Sequence, residues 1–297
     1  MYDKWFLNNT ESLKNKTVAI TGATGGIGEP LCKYLLHLEA NLILMDRNKG
    51  KSLALKESLQ KEFKNAKISH ITVDLSSMNS VKAATEELKN KEFDYFIHNA
   101  GAYSIPRFIT VNGFDNVFHI NFVAPYYIIR ELLPYLSKRN GRVVVTGSIA
   151  HRYSKTEKND FDFRNKKQAS LVYGNSKRFL MFSLYELFKD NQQMLSVVHP
   201  GITFTGITNH YNKFIFALIK HPMKVIFMKP YKACLSTLLG IFKSTPYCYW
   251  IGPKYFDIWG LPKISRLKIE QEEIKRIAEK AEEIYKGAGS NIYVYDQ

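Results

Sequence analysis

Short apolar runs rich in β-branched residues alternate along the chain with longer segments whose apolar positions recur at helical spacing. The runs are Thr17-Val18-Ala19-Ile20, Leu42-Ile43-Leu44-Met45, Ile68 to Val73, Tyr95-Phe96-Ile97, Val143-Val144-Val145, Leu195 to Val198 and Tyr249-Trp250-Ile251. Several lack polar alternation, which marks strands covered on both faces. Between them, segments such as Lys51 to Phe63 gather Leu53, Leu55, Leu59 and Phe63 into one apolar face. This alternation predicts an α/β fold, a doubly wound parallel sheet of about seven strands with helices on both faces. In such a sheet a ligand sits at the carboxyl ends of the strands.

The segments that follow the strands carry the candidate chemistry. After the first comes Thr21-Gly22-Ala23-Thr24-Gly25-Gly26-Ile27-Gly28, opening a helix. Glycines there let the backbone approach a pyrophosphate, and the helix N-terminus offers it unpaired N–H groups, a Rossmann-type arrangement. Asp46 ends the second strand, 18 residues after Gly28. Its carboxylate suits an adenosine ribose diol, which favours NAD(H), while Arg47 could pair with a 2′-phosphate and leaves NADP(H) possible. Asn99-Ala100-Gly101 follows the fourth strand and Thr146-Gly147-Ser148 the fifth. Tyr173 and Lys177 stand four apart and share a helix face. An ammonium there lowers a phenol pKa and makes it a proton donor or acceptor near neutrality.

Taken in order, Thr21-Gly22-x-x-x-Gly26-Ile27-Gly28, Asp74, Asn99-Ala100-Gly101, Asn121, Ser148, Tyr173-x-x-x-Lys177 and Pro200-Gly201 resemble the short-chain dehydrogenase/reductase family. The resemblance runs from about Lys16 to Ile251 and implies an NAD(P)-dependent oxidoreductase interconverting a ketone and a secondary alcohol. It implies that Gly22, Thr24, Gly26, Ile27 and Gly28 form the dinucleotide loop and that Asp74 and Leu75 flank the adenine. Asn99 and Gly101 would lie by the adenosine ribose. Tyr173 would be the acid–base and Ser148 the group polarising the carbonyl. Lys177 would bind the nicotinamide ribose and tune Tyr173, with Asn121 holding a water that relays protons. Thr203 and Thr205, after Pro200-Gly201, would fix the nicotinamide end. Two departures stand out: His98 replaces the commoner asparagine, and Tyr173 follows Ser148 by 25 residues. The family's usual gap is about half that. The longer gap and His199 before Pro200 are familiar from the branch that includes retinol dehydrogenases. The inserted residues, with Lys155, Lys158, Arg164, Lys166 and Lys167, are expected to form a surface loop. The loop also fits Thr-Gly-x-x-Gly-x-x-Gly through Gly25, a pattern of nucleotide-sugar epimerases and dehydratases. A nucleotide-binding module without catalysis is a further alternative, which the intact Ser148, Tyr173 and Lys177 disfavour.

Composition is that of an ordinary globular protein, 45% apolar and 23% charged over 297 residues, with no linker to divide it, so a single domain is expected. Cys32, Cys234 and Cys248 are scattered and no metal site is expected. The first residues lack the apolar run of a signal peptide, and a cytoplasmic location is expected. Residues 1–15 read as an N-terminal extension whose Trp5, Phe6 and Leu7 could tuck against the body. The segment 202–248 is long and apolar (Phe214 to Ile219, Val225 to Met228, Leu238, Leu239, Ile241, Phe242) and reads as a lid over a bulky hydrophobic substrate such as a steroid or retinoid. Residues 264–285 read as an amphipathic C-terminal helix, and the resemblance implies a homodimer or homotetramer. The net charge of +15 is concentrated between Phe204 and Lys268, where ten cations face one acid. Such a stretch is either a solvated basic face or a contact with an anionic membrane surface; nucleic acid is not expected.

Overall fold

The computed structural model describes residues 2–157, 159–203 and 228–290. All seven predicted runs are strands: β1 (Thr17–Thr21), β2 (Asn41–Asp46), β3 (Ile68–Thr72), β4 (Tyr95–His98), β5 (Arg142–Thr146), β6 (Leu195–Val198) and β7 (Tyr249–Tyr255). They run parallel in the order β3-β2-β1-β4-β5-β6-β7. The order reverses between β1 and β4, which opens a crevice at their carboxyl ends. An eighth strand, β8 (Trp259–Arg266), pairs antiparallel with β7 and extends the expected seven.

The helices are α1 (Tyr2–Asn9), α2 (Gly28–His37), α3 (Lys49–Glu62), α4 (Met78–Lys89), α5 (Ala124–Lys138), α6 (Ala169–Leu187), α7 (Leu235–Phe242) and α8 (Gln271–Ser290). Alternate strand residues feed two apolar layers. Val18, Ile20 and Val144 face the layer of α2, α3 and α7, whereas Ala19, Val143 and Val145 face that of α4, α5, α6 and α8. With both faces covered, β1, β2, β4 and β5 carry charged and polar side chains only at their ends.

Four expectations change. The C-terminal helix begins at Gln271, because Ile264, Ser265 and Arg266 pair with Ile251, Trp250 and Tyr249 at the sheet edge. Its stripe of Ile274, Ile277, Ala281 and Ile284 is buried in this chain's own core, and Arg178 pairs with Glu273, so no neighbouring subunit is needed to cover it. The insertion before Tyr173 is anchored, not a free surface loop. Phe161 and Phe163 are buried, Asp162 accepts from the Asp115 N–H (2.9 Å), and Arg107 donates to the Phe163 carbonyl (2.8 Å). Leu238, Leu239 and Ile241 pack under the sheet as core. In the N-terminal extension Trp5 and Phe6 do pack against the body, while Leu7 stays exposed. Phe214 to Ile219, Val225 to Phe227 and Thr205 lie outside the described residues.

Candidate active site

The glycine loop closes on itself with little space to spare. Gly22 has φ +70°, and a Cβ there would lie 2.9 Å from the Ala100 Cα. A Cβ on Gly28 would sit 2.7 Å from the Ala23 carbonyl oxygen and nearer still to that of Gly22. Gly25 and Gly26 are exposed and face outwards. Ile27 caps α2 without a side-chain hydrogen bond; the Glu29 N–H already donates to the Gly25 carbonyl (3.1 Å) and Pro30 has none, so the capacity for an anion rests on the N–H groups of Ile27 and Gly28. These features fit a dinucleotide pyrophosphate. From the adjoining strand, Asn99 Nδ2 donates to the Gly22 carbonyl (3.0 Å) and holds the loop. His98 takes over the bond expected of a polar neighbour, its Nδ1 lying 3.0 Å from Thr21 Oγ1.

Asp46 is buried and turned inwards. Its Oδ1 accepts from the Thr24 N–H (3.1 Å) and hydroxyl (2.9 Å), and its Oδ2 from the Ser52 hydroxyl (3.1 Å). A carboxylate offers roughly four acceptor positions, so about one remains. Arg47 beside it is exposed and makes no ion pair among the described residues. Asp74 accepts from the N–H and hydroxyl of Ser76 (2.9 and 2.7 Å). The Leu75 side chain belongs to the core, so only its backbone is available to a ligand.

The catalytic candidates meet at the carboxyl end of β5. Ser148 is buried and extended; its hydroxyl accepts from the Ala150 N–H (3.2 Å) and lies on the side of Tyr173, whose pKa it lowers. Lys177 is buried and its Nζ donates to the Thr146 carbonyl (2.8 Å), leaving two donors unused. Burial lowers its pKa to about 8. Tyr173 is pushed up to about 12 by burial, with the Ser148 hydrogen bond pulling the other way. Burial outweighs the expected lowering by Lys177, whose ammonium lies 5.9 Å from the Tyr173 ring centre. Asn121 sits in a π-helical turn, His119–Val123. Its amide accepts from the Ala102 N–H (2.8 Å) and donates to the Ala102 carbonyl (2.8 Å) and Ser176 Oγ (3.1 Å). It thus clamps the turn beside Lys177. Gly201 has φ +79°, and a Cβ there would crowd Met228 Sδ at 2.8 Å. Thr203 bridges to Met228.

Three neighbours escape sequence reasoning. Tyr103 meets Tyr173 edge-on, with ring centres 5.2 Å apart. His151 Nδ1 lies 2.7 Å from the Ser148 carbonyl and steadies that turn, and Ser176 orients Asn121. Only His151, three residues after Ser148, leaves a local trace. A shallow cleft of about 540 Å³ at the opposite strand ends, lined by Thr17, Asn41 and Lys67, holds none of these groups.

Buried histidines give the fold a pH limit. Burial lowers His119 and His151 to about 4 and His199 to about 3, and His98 is also lowered. The unfolded chain takes up these protons below about pH 6.5 and the folded chain does not. Their contribution is complete above that pH and is lost as pH falls towards about 4, up to about 3 kcal/mol for each of His119 and His151. The urea midpoint should therefore fall markedly between about pH 7.5 and about pH 5; an unchanged midpoint contradicts this account of the buried rings.

The sequence model of the short chain dehydrogenase family matches residues 16–214. Retinol dehydrogenase 14 of Mus musculus is 27% identical over 255 residues, covering 77% of this chain and 76% of that protein. Polyprenol dehydrogenase of Homo sapiens is 26% identical over 208 residues, 66% of this chain and 63% of that one. Among solved structures, an uncharacterized protein from Mycobacterium paratuberculosis superposes with a TM-score of 0.70 at 22% identity, covering 96% and 97% of the two chains. A short-chain dehydrogenase from Sphingobium yanoikuyae in complex with NADPH gives a TM-score of 0.59 at 22% identity, covering 76% and 84%. These two share the fold. The family match takes in β1 to β6 and the loops at their carboxyl ends, and on it the chain belongs to the short-chain dehydrogenase/reductase family, as an NAD(P)-dependent oxidoreductase of CH–OH donors.

Proposed function

We propose that the protein interconverts a bulky, apolar alcohol and its carbonyl compound, with Tyr173 as the acid–base. The observation that carries this reading is the convergence of Ser148, Tyr173 and Lys177 at one strand end, with Lys177 Nζ 5.9 Å from the Tyr173 ring centre and held by the Thr146 carbonyl. Gly22, Gly26, Gly28 and the start of α2 would hold the pyrophosphate of the cofactor, Asp74 and the Leu75 backbone its adenine, and Asn99 and Gly101 its adenosine ribose. The two spare donors of Lys177 would hold the nicotinamide ribose, with Pro200, Gly201, Thr203 and Thr205 at the nicotinamide end. When bound, that cofactor supplies or accepts the hydride.

The chain itself handles the proton. In reduction the Tyr173 O–H breaks as the O–H of the alcohol forms, and Ser148 donates a hydrogen bond to the same substrate oxygen. Lys177 then returns a proton towards Tyr173. Asn121 keeps the adjoining turn closed and retains a lone pair on Oδ1 for a relaying water.

The names of the relatives, retinol and polyprenol dehydrogenase, support a retinoid-like or polyprenol-like alcohol beside the steroid reading. Tyr103 against Tyr173 supplies an aromatic wall. The test is turnover with saturating reduced cofactor: lipophilic aldehydes and ketones should react faster than small polar ones, and the reverse order would overturn the substrate reading.

For the cofactor, the engagement of Asp46 by Thr24 and Ser52 favours NADP(H) over the NAD(H) that the sequence suggests. The exposed Arg47 is then the group facing a 2′-phosphate. Arg47→Ala should weaken NADPH binding by about tenfold and leave NADH unchanged, the loss of one charge-assisted contact. Equal losses for both cofactors would return the role to Asp46.

A further inference from the structure

We propose that the tip of the β7–β8 hairpin is a docking surface for an anionic phospholipid bilayer. Three aromatic side chains crowd this tip and remain in solvent: Tyr255 is 44% exposed, Phe256 81% and Trp259 48%. The Tyr255 and Trp259 rings lie 4.6 Å apart and form one continuous patch. Tyr255 pairs directly with Trp259, so the turn between them is tight. It is turned by two non-glycine residues in the left-handed region, Phe256 (φ 55°) and Asp257 (φ 59°). A bulky residue is disfavoured there. Folding alone would favour asparagine or glycine at position 256, so this strained, exposed phenylalanine points to an external use.

The tip is held rigidly. Asp257 is ion-paired to Arg152 at 2.7 Å, and the Ile258 carbonyl accepts from the Ile202 N–H (3.3 Å). The charge around it has one sign. Lys254, next to Tyr255, and Lys263, opposite Gly252 in the ladder, are exposed, and Asp257, the only acid between Tyr249 and Lys268, is paired with Arg152. An aromatic wedge rimmed by cations complements a bilayer interface, where tyrosine and tryptophan are favoured and each cation adds attraction to anionic headgroups. Arg152 follows Ser148 by four residues and Ile202 follows Gly201, so the docked tip would set the proposed active site beside the lipid phase. That last step rests on the proposed function; the docking does not.

The test is co-sedimentation of the full chain at low salt with phosphatidylcholine vesicles, with and without phosphatidylserine. Binding is expected only to the anionic vesicles and should be released by salt. Phe256→Asn suits the left-handed backbone, so it should keep its thermal midpoint and its cofactor binding yet lose about fivefold or more in vesicle affinity. Brominated lipids should quench wild-type fluorescence, and Trp259→Phe should remove that quenching, since Trp250 is buried and Trp5 packs against the body away from the hairpin tip. Wild-type vesicle affinity in Phe256→Asn would overturn the proposal. So would failure of the unmodified chain to bind anionic vesicles, or a change of oligomeric state in Phe256→Asn, which would make the tip a contact between copies. None of these readouts depends on turnover, so a failure of the substrate reading stays separable.

Discussion

Tyr173→Phe should lower kcat by about 10²–10⁴-fold while reduced cofactor still binds with its ordinary affinity. The substitution removes one hydroxyl and keeps the ring that packs edge-on against Tyr103, so the wall of the site survives. What disappears is the O–H that would exchange a proton with the substrate oxygen. Burial holds that hydroxyl up to about 12. It is therefore a protonated donor at neutral pH, suited to reduction. To act as a base in oxidation it needs added positive charge nearby, and Lys177, which keeps two donors free, is the group placed to provide it. Stopped-flow and steady-state rates on the variant, beside a fluorescence titration with cofactor, separate chemistry from binding. Near-normal turnover would remove Tyr173 from the proton step.

Gly28→Ala should raise the dissociation constant of cofactor by about 100-fold. A methyl group there would meet the carbonyls of Gly22 and Ala23, both backbone atoms that cannot swing aside. Relief requires the loop to open, and the loop is pinned by the Asn99 bond to Gly22 and by the Thr24 bonds to Asp46. Opening it misplaces the N–H groups that would receive a pyrophosphate. Overpacking of this kind also costs about 1–3 kcal/mol of stability. Gly50→Ala, in the first turn of α3, is the control. Its Cβ would approach only Asn48 Oδ1, at 3.4 Å, so cofactor binding should be unaffected. Tight cofactor binding by Gly28→Ala would mean that the loop has slack which the packing does not show.

The parallel strands and the glycine loop were legible because their signals are local: unbroken β-branched runs, and glycines between a strand and a helix. Tyr173 and Lys177 were legible as a spacing, and Ser148 only as a member of an ordered set. The missing pieces depend on partners far along the chain. Ile264 to Arg266 read as helix until their pairing with Tyr249 to Ile251 is known. Phe161 and Phe163 look like loop residues because the apolar surroundings that receive them come from Phe114 and Phe118 for Phe161 and from Val117 and Val172 for Phe163. Asp46 reads as a free ribose acceptor until Thr24 and Ser52 are seen to occupy it. Leu75 follows a family position yet turns into the core, since it closes the layer between β3 and α4.

The central claim is hydride transfer between cofactor and a lipophilic carbonyl, and isotope transfer tests it most directly. Reduced cofactor carrying deuterium at C4 of the nicotinamide, on each face in turn, would be incubated with the enzyme and a lipophilic aldehyde or ketone, and the product alcohol analysed by mass spectrometry. The account predicts one deuterium on the carbinol carbon from one of the two labelled faces, and loss of that product in Tyr173→Phe. Product that forms without deuterium from either face, or no product from a cofactor-saturated enzyme across lipophilic carbonyls, would contradict it.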